Sequence, residues 1–468
     1  MNEALLSKSP DVLRDLWSLA ALPAEALHFA SLTGSDPVFP SSFAVGAAAQ
    51  STIAAAALAA CELGHLRGVA RQQVSIDMLD AAIECTGWFS IDGKVPDIWD
   101  AFSGLYRCAD GHVRVHANFA HHREGALRLL GLDPQKAQRA DAEQALLGWR
   151  ALDFEEAAAG QKLVATALRR FEEWDATPQG RAIATQPLFT IERIGDAPPL
   201  ALPPLREDHR PLTGLRVLDL TRILAGPVGG KALAAHGADV MLVNSPNLPN
   251  ISAIADTSRG KLSALVDLLR EDGRDAMRRL VREAHVFTQG YRPGGLHALG
   301  FGPEEVARLR PGIVYVSLTA YGTQGPWAGR RGFDSLVQTA MGFNHAEGEA
   351  AGDGKPRPMP MQILDEATGY LMAFGAAAAL VRQQHEGGSW HVQVSLAQTG
   401  QWLRSFGRVT DGLAAARPDL QPHLETTDSG FGRLTALRHS ACLARTPAAW
   451  PRLSMPPGSH PPSWHATS

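Results

Sequence analysis

Cysteine is scarce in this chain, and its scarcity excludes two structural classes. The 468 residues include four cysteines, which form neither a Cys-x-x-Cys pair nor the dense spacing of a disulfide scaffold. We therefore expect a cytoplasmic protein without a zinc site or any other metal site. The thiols are predicted to be buried and unpaired; they are Cys61, Cys85, Cys108 and Cys442.

An excess of basic residues and a long apolar run are also missing. Lys and Arg number 44 against 48 Asp and Glu, which gives a net charge of −4, and the basic residues are spread along the chain. The opening MNEALLSKSPDVLRDLW contains acidic residues and lacks the apolar core of a signal peptide. The Ala-rich runs at 54–60 and 376–379 are too short to span a bilayer. We expect no nucleic-acid or membrane partner.

Several nucleotide-binding and hydrolytic motifs are absent. The loop AGPVGG has glycines at 226, 229 and 230, a spacing that does not match G-x-G-x-x-G and therefore predicts no dinucleotide site. The chain also lacks a Walker loop, an HExxH zinc motif and a GxSxG elbow.

Alternating short strands and helices fill the region from 206 to 400. The strand RVLDL is followed by a Gly/Pro loop, a helix and the strand DVMLV, and similar pairs follow. This order predicts a parallel sheet with helices on both faces. Ligands of such sheets bind beyond the carboxyl ends of the strands. We expect four loops at that edge, namely 221–227, 259–261, 290–293 and 321–325.

A smaller α/β unit is predicted at 81–205. The segment GLYRCADGHVRVHANF alternates apolar and polar residues around Asp110-Gly111, which is typical of a β-hairpin. A Pro-rich linker near 200 marks its end. We expect the adjacent His121 and His122 to be surface or packing residues rather than catalytic ones.

The segment from Met361 to Leu396 places one acidic residue, Asp365, where a long Ala-rich helix begins. Two roles are open on this pattern: an N-cap for the helix, or a nucleophile that attacks a thioester carbonyl. An offset of 320 residues aligns this segment without gaps onto a stretch that begins at Ser42, which indicates an internal duplication. Val45 then occupies the position of Asp365, so only the second copy carries the carboxylate.

Several segments together resemble the family III CoA-transferases, the group that includes the α-methylacyl-CoA racemases. The resemblance spans residues 211 to 396 and is carried by PLTGLRVLDLTRILAGP, HGADVMLV, SRGKLSALVDL, AHVFTQGYRPGGLHALGFG, IVYVSLTAYGTQGPWAGRRGFDSLVQTAMG, LDEATGYLMAFGAAAAL and HVQVSL. It implies an α/β fold with a Rossmann-like large domain and a smaller α/β domain.

The N-terminal half resembles the later part of a second family copy, so the chain looks like a truncated tandem fusion. We expect a partial first-copy segment at 1–80, the small α/β domain at 81–205, the CoA-binding domain at 206–400 and a returning segment at 401–468. Family members form interlaced dimers, which implies a homodimer or a pseudo-dimer within one chain.

The resemblance implies CoA transfer between an acyl-CoA thioester and a free carboxylic acid. Asp365, followed by Thr368 and Gly369, matches the family's nucleophile segment. CoA would be a substrate, with no ATP, metal or permanently bound cofactor required. The implied CoA contacts are Ile223, Leu224, Ala225, Arg259, Lys261, Gly290 and Tyr291.

Two departures keep alternatives open. The racemases use a Gly-His-Asp segment, but this chain has Gly332-Phe333-Asp334, which disfavours a racemase-like isomerase. The loop after Val243 lacks a basic residue and is short, and Val45 replaces the acid in the first copy. A catalytically degenerate CoA-binding protein is the other alternative.

Overall fold

The structure is a computed structural model that describes residues 8–464. Residues 1–7 and 465–468 lie outside the described residues, together with the ends of the predicted segments 1–80 and 401–468 and the start of the segment tested for a signal peptide. The helices are α1 Ser9–Leu19, α2 Val45–Leu66, α3 Met78–Glu84, α4 Ala120–Leu129, α5 Arg139–Leu146, α6 Ala151–Gly160, α7 Phe171–Asp175, α8 Pro178–Ala184, α9 Ala225–Ala235, α10 Ile254–Thr257, α11 Glu271–Glu283, α12 Pro303–Leu309, α13 Asp334–Met341, α14 Phe343–Ala350, α15 Ile363–Glu386 and α16 Leu396–Ser405.

The strands form one large sheet and three small ones. They are β1 Ala30–Thr33, β2 Val74–Asp77, β3 Phe89–Ile91, β4 Gly104–Arg107, β5 His112–Val115, β6 Ala165–Ala167, β7 Phe189–Gly195, β8 Arg216–Leu220, β9 Asp239–Asn244, β10 Lys261–Leu265, β11 Val286–Gln289, β12 Val314–Thr319, β13 Ser389–Ser395, β14 Leu424–Ser429, β15 Gly432–Leu437 and β16 Cys442–Leu443.

The large sheet has seven strands in the order β10-β9-β8-β11-β12-β13-β7. All neighbours are parallel except β7, which runs antiparallel to β13 at one edge. Alternate residues of its strands face two different cores. Val217 and Val286 pack in the core that holds α9 and α15, whereas Leu218 and Phe287 pack in the core that holds α11 and α12. The predicted Rossmann-like α/β fold is confirmed.

The small unit has its own sheet and its own core. Strands β4, β5 and β6 are antiparallel, and the β4–β5 pair is the hairpin predicted around Asp110-Gly111. Its core includes Tyr106, Val113 and Phe154. Strand β7 lies within the predicted 81–205 unit but joins the large sheet instead, because its residues pair with the edge strand β13.

The duplication is visible as a repeated helix, strand and helix. The segment α2-β2-α3 corresponds to α15-β13-α16 at the offset of 320 residues. A distant aspartate caps the first helix of each copy. Asp36 accepts the backbone N–H groups of Gly46 and Ala47 at 3.0 and 2.8 Å, and Asp334 accepts that of Asp365 at 3.0 Å.

The cysteine prediction is correct for three of the four residues. Cys61, Cys85 and Cys108 are buried free thiols. Cys442 is also free but exposed, because it lies on the outward face of the two-residue edge strand β16.

Helices α2 and α15 pack against each other at the centre of the protein. Both are long and apolar enough to pass a test for membrane spans, yet the tested window of each is completely buried inside the structure. A helix that is apolar all round is typical of a protein core. Their alanine and glycine residues permit close approach of the helix backbones.

Glycine is required where α15 meets α9. A Cβ atom added at Gly369 would lie 2.4 Å from the carbonyl oxygen of Ala225 and 2.9 Å from the Val228 side chain. Since the first clash is with backbone, neither helix can relieve it by a rotamer change. This contact holds the start of α9 beside the start of α15.

We expect Gly369→Ala to lower the free energy of unfolding by about 1–3 kcal/mol, the usual cost of overpacking a core. The matched control is Gly160→Ala at the end of α6, where an added Cβ meets nothing within 4 Å. That variant should be neutral or slightly stabilising because alanine favours helix. Urea unfolding of both proteins would measure the difference, and equal stabilities would contradict the packing argument.

Candidate active site

A cavity of about 290 Å³ opens at the carboxyl edge of the large sheet. Its walls come from the loops after β8, β9, β11 and β12, from the starts of α15 and α16, and from the small unit. The lining residues are Phe119, His121, His122, Leu220, Arg222, Ile223, Leu224, Ala225, Leu248, Pro249, Gly290, Tyr291, Arg292, Pro293, Leu318, Thr319, Ala320, Ala328, Arg330, Arg331, Gly332, Phe333, Asp365 and Leu396.

The cavity lies where the order of the strands reverses. From β8 the chain adds β9 and β10 on one side and then β11, β12 and β13 on the other. The loops after β8 and β11 therefore separate at this point and leave a crevice, which is where open α/β sheets bind ligands. Five of the predicted CoA contacts line it, namely Ile223, Leu224, Ala225, Gly290 and Tyr291.

Asp365 lies in the first turn of α15 with its side chain at the cavity wall. The residue is 8% exposed, and within residues 8–464 its carboxylate accepts no hydrogen bond. The capping group of α15 is instead Asp334, which accepts the N–H groups of Leu364 and Asp365. The N-cap interpretation of Asp365 is therefore wrong, and its carboxylate is free to meet a ligand.

The residues that follow Asp365 fix its position. The hydroxyl of Thr368 shares a hydrogen bond of 2.7 Å with that of Thr399 on α16. One turn of the same helix is held against α9 at Gly369, as described above. The Asp-x-x-Thr-Gly segment thus joins the reactive position to two neighbouring helices.

The loop between β8 and α9 has a strained backbone at the cavity. Ile223 has φ of +77°, a left-handed conformation that is unfavourable for a β-branched residue. Such conformations cost about 1–3 kcal/mol and occur mostly at functional sites. Helix α9 begins directly afterwards at Ala225, so the positive end of its dipole faces the cavity.

Two carboxyl groups lie close together in this site. Burial raises the pKa of Asp365 well above its ordinary value of 3.8, and the negative charge of Asp334 raises it further. Burial also raises the pKa of Asp334 to about 6, although its hydrogen bonds oppose the shift. The pair therefore holds a proton at pH values where an exposed aspartate is ionised.

The small unit forms one wall of the cavity through Phe119, His121 and His122. As predicted, His121 is a surface residue and His122 is a buried packing residue, but the prediction did not anticipate that both line this cavity. The pair follows the hairpin in sequence, but its distance from Asp365 depends on how the small unit docks onto the large one. Local sequence carries no signal for that contact.

Four arginines also line the cavity, and the sequence interpretation did not select them. They are Arg222, Arg292, Arg330 and Arg331. Arg330 and Arg331 precede the Gly332-Phe333-Asp334 segment, and Arg222 and Arg292 stand beside predicted CoA contacts. A second, smaller recess of about 90 Å³ continues from Arg292, Arg330 and Arg331 to Lys162.

Arg259 and Lys261 lie outside this cavity, which corrects the expectation that loop 259–261 lies at the carboxyl edge. The loop precedes β10, so it lies at the amino end of that strand. Lys261 is 0% exposed and donates to Asp219 at 2.9 Å. Arg259 is 4% exposed and forms ion pairs with Asp256 and Glu425.

Within residues 8–464, one group of side chains has the spacing of a metal site. His297, Glu304 and Glu305 bring ligand atoms within 4.8 Å of one another; His297 and Glu304 are exposed and Glu305 is half-buried. None of them lines the cavity around Asp365.

Comparison with known proteins gives consistent matches. The sequence profile of CoA-transferase family III matches residues 212–428. An acyl-CoA transferase of Gibberella moniliformis is 31% identical over 376 residues, which are 72% of this chain and 66% of that protein. The succinate–glutarate CoA-transferase of Agrobacterium fabrum is 33% identical over 250 residues, which are 47% of this chain and 62% of that protein.

A solved structure, Rv3272 from M. tuberculosis, is 34% identical with a TM-score of 0.40, and the match covers 42% of this chain and 59% of that one. The chain therefore spans 59–66% of the length of these three proteins.

We expect Lys261→Met to lower the free energy of unfolding by about 3–5 kcal/mol, because it leaves the Asp219 carboxylate buried without its cation. The double variant Lys261→Met/Asp219→Leu should regain part of this loss. Chemical denaturation measures both. A Lys261→Met protein of normal stability that no longer binds CoA would show instead that Lys261 contacts the ligand.

We expect Asp365→Asn to raise the melting temperature at pH 7. A buried carboxyl with a raised pKa destabilises the folded state once the pH exceeds its ordinary value of 3.8, and the effect grows until the folded-state pKa is passed. The gain should therefore be small below pH 3.8 and larger at neutral pH. Melting curves across this range test the sign, with mass spectrometry to confirm that the asparagine has not deamidated. A gain in melting temperature that does not depend on pH would contradict this prediction.

Proposed function

We propose that this chain, which belongs to CoA-transferase family III, transfers CoA from an acyl-CoA thioester to a free carboxylic acid through a covalent intermediate on Asp365. The observation that carries the proposal is the Asp365 carboxylate itself. It borders the cavity, accepts no hydrogen bond within residues 8–464, and has a raised pKa. A more basic carboxylate that is not held by protein donors is a better nucleophile once ionised.

The proposed reaction exchanges bonds of similar energy. The Asp365 carboxylate attacks the thioester carbonyl, which forms a mixed anhydride and releases CoA thiolate. The thiolate attacks the aspartyl carbonyl, which releases the donor acid and leaves an aspartyl-CoA thioester. The acceptor carboxylate then attacks this thioester, and the steps reverse to give the new acyl-CoA and free Asp365. No proton or electron is left over.

The surroundings of Asp365 can stabilise the negative charge that moves between oxygen and sulfur atoms during the reaction. The N-termini of α9 and α15 both meet the cavity, and a positive helix end stabilises developing negative charge. Buried apolar walls limit the access of water, which would hydrolyse the anhydride. Exposed Arg292 at the rim is proposed to meet a phosphate of CoA, together with Lys162 in the adjoining recess.

A racemase-like activity has less support. The position of the racemase histidine is Phe333, whose ring stacks on that of His116 with centroids 4.0 Å apart. Burial and nearby Arg114 lower the pKa of His116 to about 4, and the residue does not line the cavity. We therefore rank the transferase reaction first.

The acceptor class and the assembly are part of the proposal. One relative is named a succinate–glutarate CoA-transferase, which is consistent with a carboxylic acid acceptor. The cavity includes residues of the predicted small domain and of the predicted CoA-binding domain of one chain. The predicted homodimer and cytoplasmic location stay predictions.

We expect Asp365→Ala to reduce CoA exchange between carboxylic acids by more than about a thousandfold, because it removes the nucleophile. Wild-type protein incubated with an acyl-CoA and then with hydroxylamine should carry one modification, at Asp365, detectable by peptide mass spectrometry. Asp196→Ala is the control, since that side chain is 98% exposed and should leave exchange unchanged. A folded Asp365→Ala protein with undiminished exchange would overturn the proposal.

A further inference from the structure

Two guanidinium groups in the cavity have no carboxylate partner within residues 8–464. Arg222 donates to the Pro249 carbonyl, and its Nε is buried without an acceptor. Arg331 donates through Nη1 to the Lys162 carbonyl at 3.0 Å and to His122 Nε2 at 2.9 Å. These acceptors orient the two side chains without cancelling their charges.

Several other arginines of this protein are paired with carboxylates, whereas Arg67, which is buried outside the cavity, donates four hydrogen bonds to backbone carbonyl oxygens. Arg169 and Arg330 both pair with Glu155, at 2.7 and 3.2 Å, and Arg259 pairs with Asp256. Burying a charge without a partner is costly. Arg222 and Arg331 differ from Arg67 because they line a cavity that can admit a ligand and because the Nε of Arg222 is buried without an acceptor, which indicates that an anionic ligand group is the missing partner.

The two histidines of the small unit that line the cavity do not change the positive charge of Arg222 and Arg331. Burial lowers the pKa of His122 to about 3; burial, together with the nearby cations Arg331 and Arg222, also lowers the pKa of His121. Both rings are therefore neutral at pH 7. Because His122 Nε2 accepts a hydrogen bond from Arg331, that nitrogen cannot donate a hydrogen bond to an anionic ligand.

We infer that Arg222 and Arg331 bind the second carboxylate of a short dicarboxylic acid while its first carboxylate reacts at Asp365. This inference rests on the proposed function and names its substrate class. The phosphates of CoA are separated from the sulfur by the long pantetheine arm. We therefore assign the half-buried Arg222 and Arg331 to the acid, and the exposed Arg292, which lines both this cavity and the recess that contains Lys162, to the phosphates.

The size and the walls of the cavity fit such an acid. At about 290 Å³ it is at the lower end of ligand pockets, and it must also admit the end of the pantetheine arm. The apolar side chains of Phe119, Phe333 and Leu396 are available to pack against a short methylene chain between the two carboxylates. A site built for a charged group rejects analogues that lack it more strongly than an apolar pocket does.

The test compares glutarate with pentanoate as acceptors, with acetyl-CoA as donor. Wild-type kcat/KM should be roughly 100-fold higher for glutarate. Arg331→Gln should lower kcat/KM for glutarate by roughly 30-fold or more, and leave pentanoate and the KM for acetyl-CoA unchanged. Arg331→Lys, which keeps the charge, should recover part of the loss. Arg308→Gln, at an exposed ion pair on α12, is the matched control.

Equal use of glutarate and pentanoate by the wild type would overturn the inference. So would an Arg331→Gln protein whose only defect is a raised KM for acetyl-CoA, since that result would assign the arginine to a phosphate. Thermal shift gives an independent readout: glutarate, but not pentanoate, should raise the melting temperature of the wild type and not that of Arg331→Gln. If no acid accepts CoA but this shift is seen, the proposed reaction fails and the anion site stands. If neither occurs, both fail.

Discussion

The close approach of α15 to α2 and α9 is the constraint on which the rest of the structure depends. It is possible because the contacting residues are small, and at Gly369 a single methyl group would collide with the backbone of Ala225. That contact brings the loop after β8 beside Asp365. The same approach directs the N-termini of two helices at one cavity, where their dipoles favour the negative charges of a thiolate and of carboxylates. Helix packing and chemistry are therefore set by the same few side chains.

The charges of the protein divide into two groups with different uses. Buried pairs such as Lys261 with Asp219 are satisfied internally and hold strands and loops together. Around the cavity, Asp365, Arg222 and Arg331 are buried in part or in full without a partner of opposite charge within residues 8–464. Unpaired charge lowers stability, and enzymes tolerate it mainly where a ligand or a transition state supplies the partner.

Sequence patterns predicted those features that depend on local periodicity. The strand at Arg216–Leu220 and the Asp110-Gly111 hairpin are found where the sequence pattern predicted them. The role of Lys261 could not be predicted in this way. A basic residue in a Gly turn looks the same whether it precedes or follows a strand, and its burial depends on Asp219, 42 residues away. The position of the small unit's histidines at the cavity could not be predicted for the same reason, since the docking of one domain onto another leaves no local periodicity in the sequence.

The two copies of the duplication show what a catalytic carboxylate requires. An aspartate caps the long helix in each copy, Asp36 in the first and Asp334 in the second, although the offset of 320 residues does not align these two positions. At the reactive position the first copy has Val45, which is 0% exposed. A second carboxylate there would be fully buried beside the charge of Asp36, with no cavity wall to hydrate it and no substrate to offset the repulsion. The second copy bears the same repulsion between Asp334 and Asp365, but its carboxylate borders a cavity. A carboxylate at this position is therefore tolerated only in the second copy, where Asp365 borders the cavity.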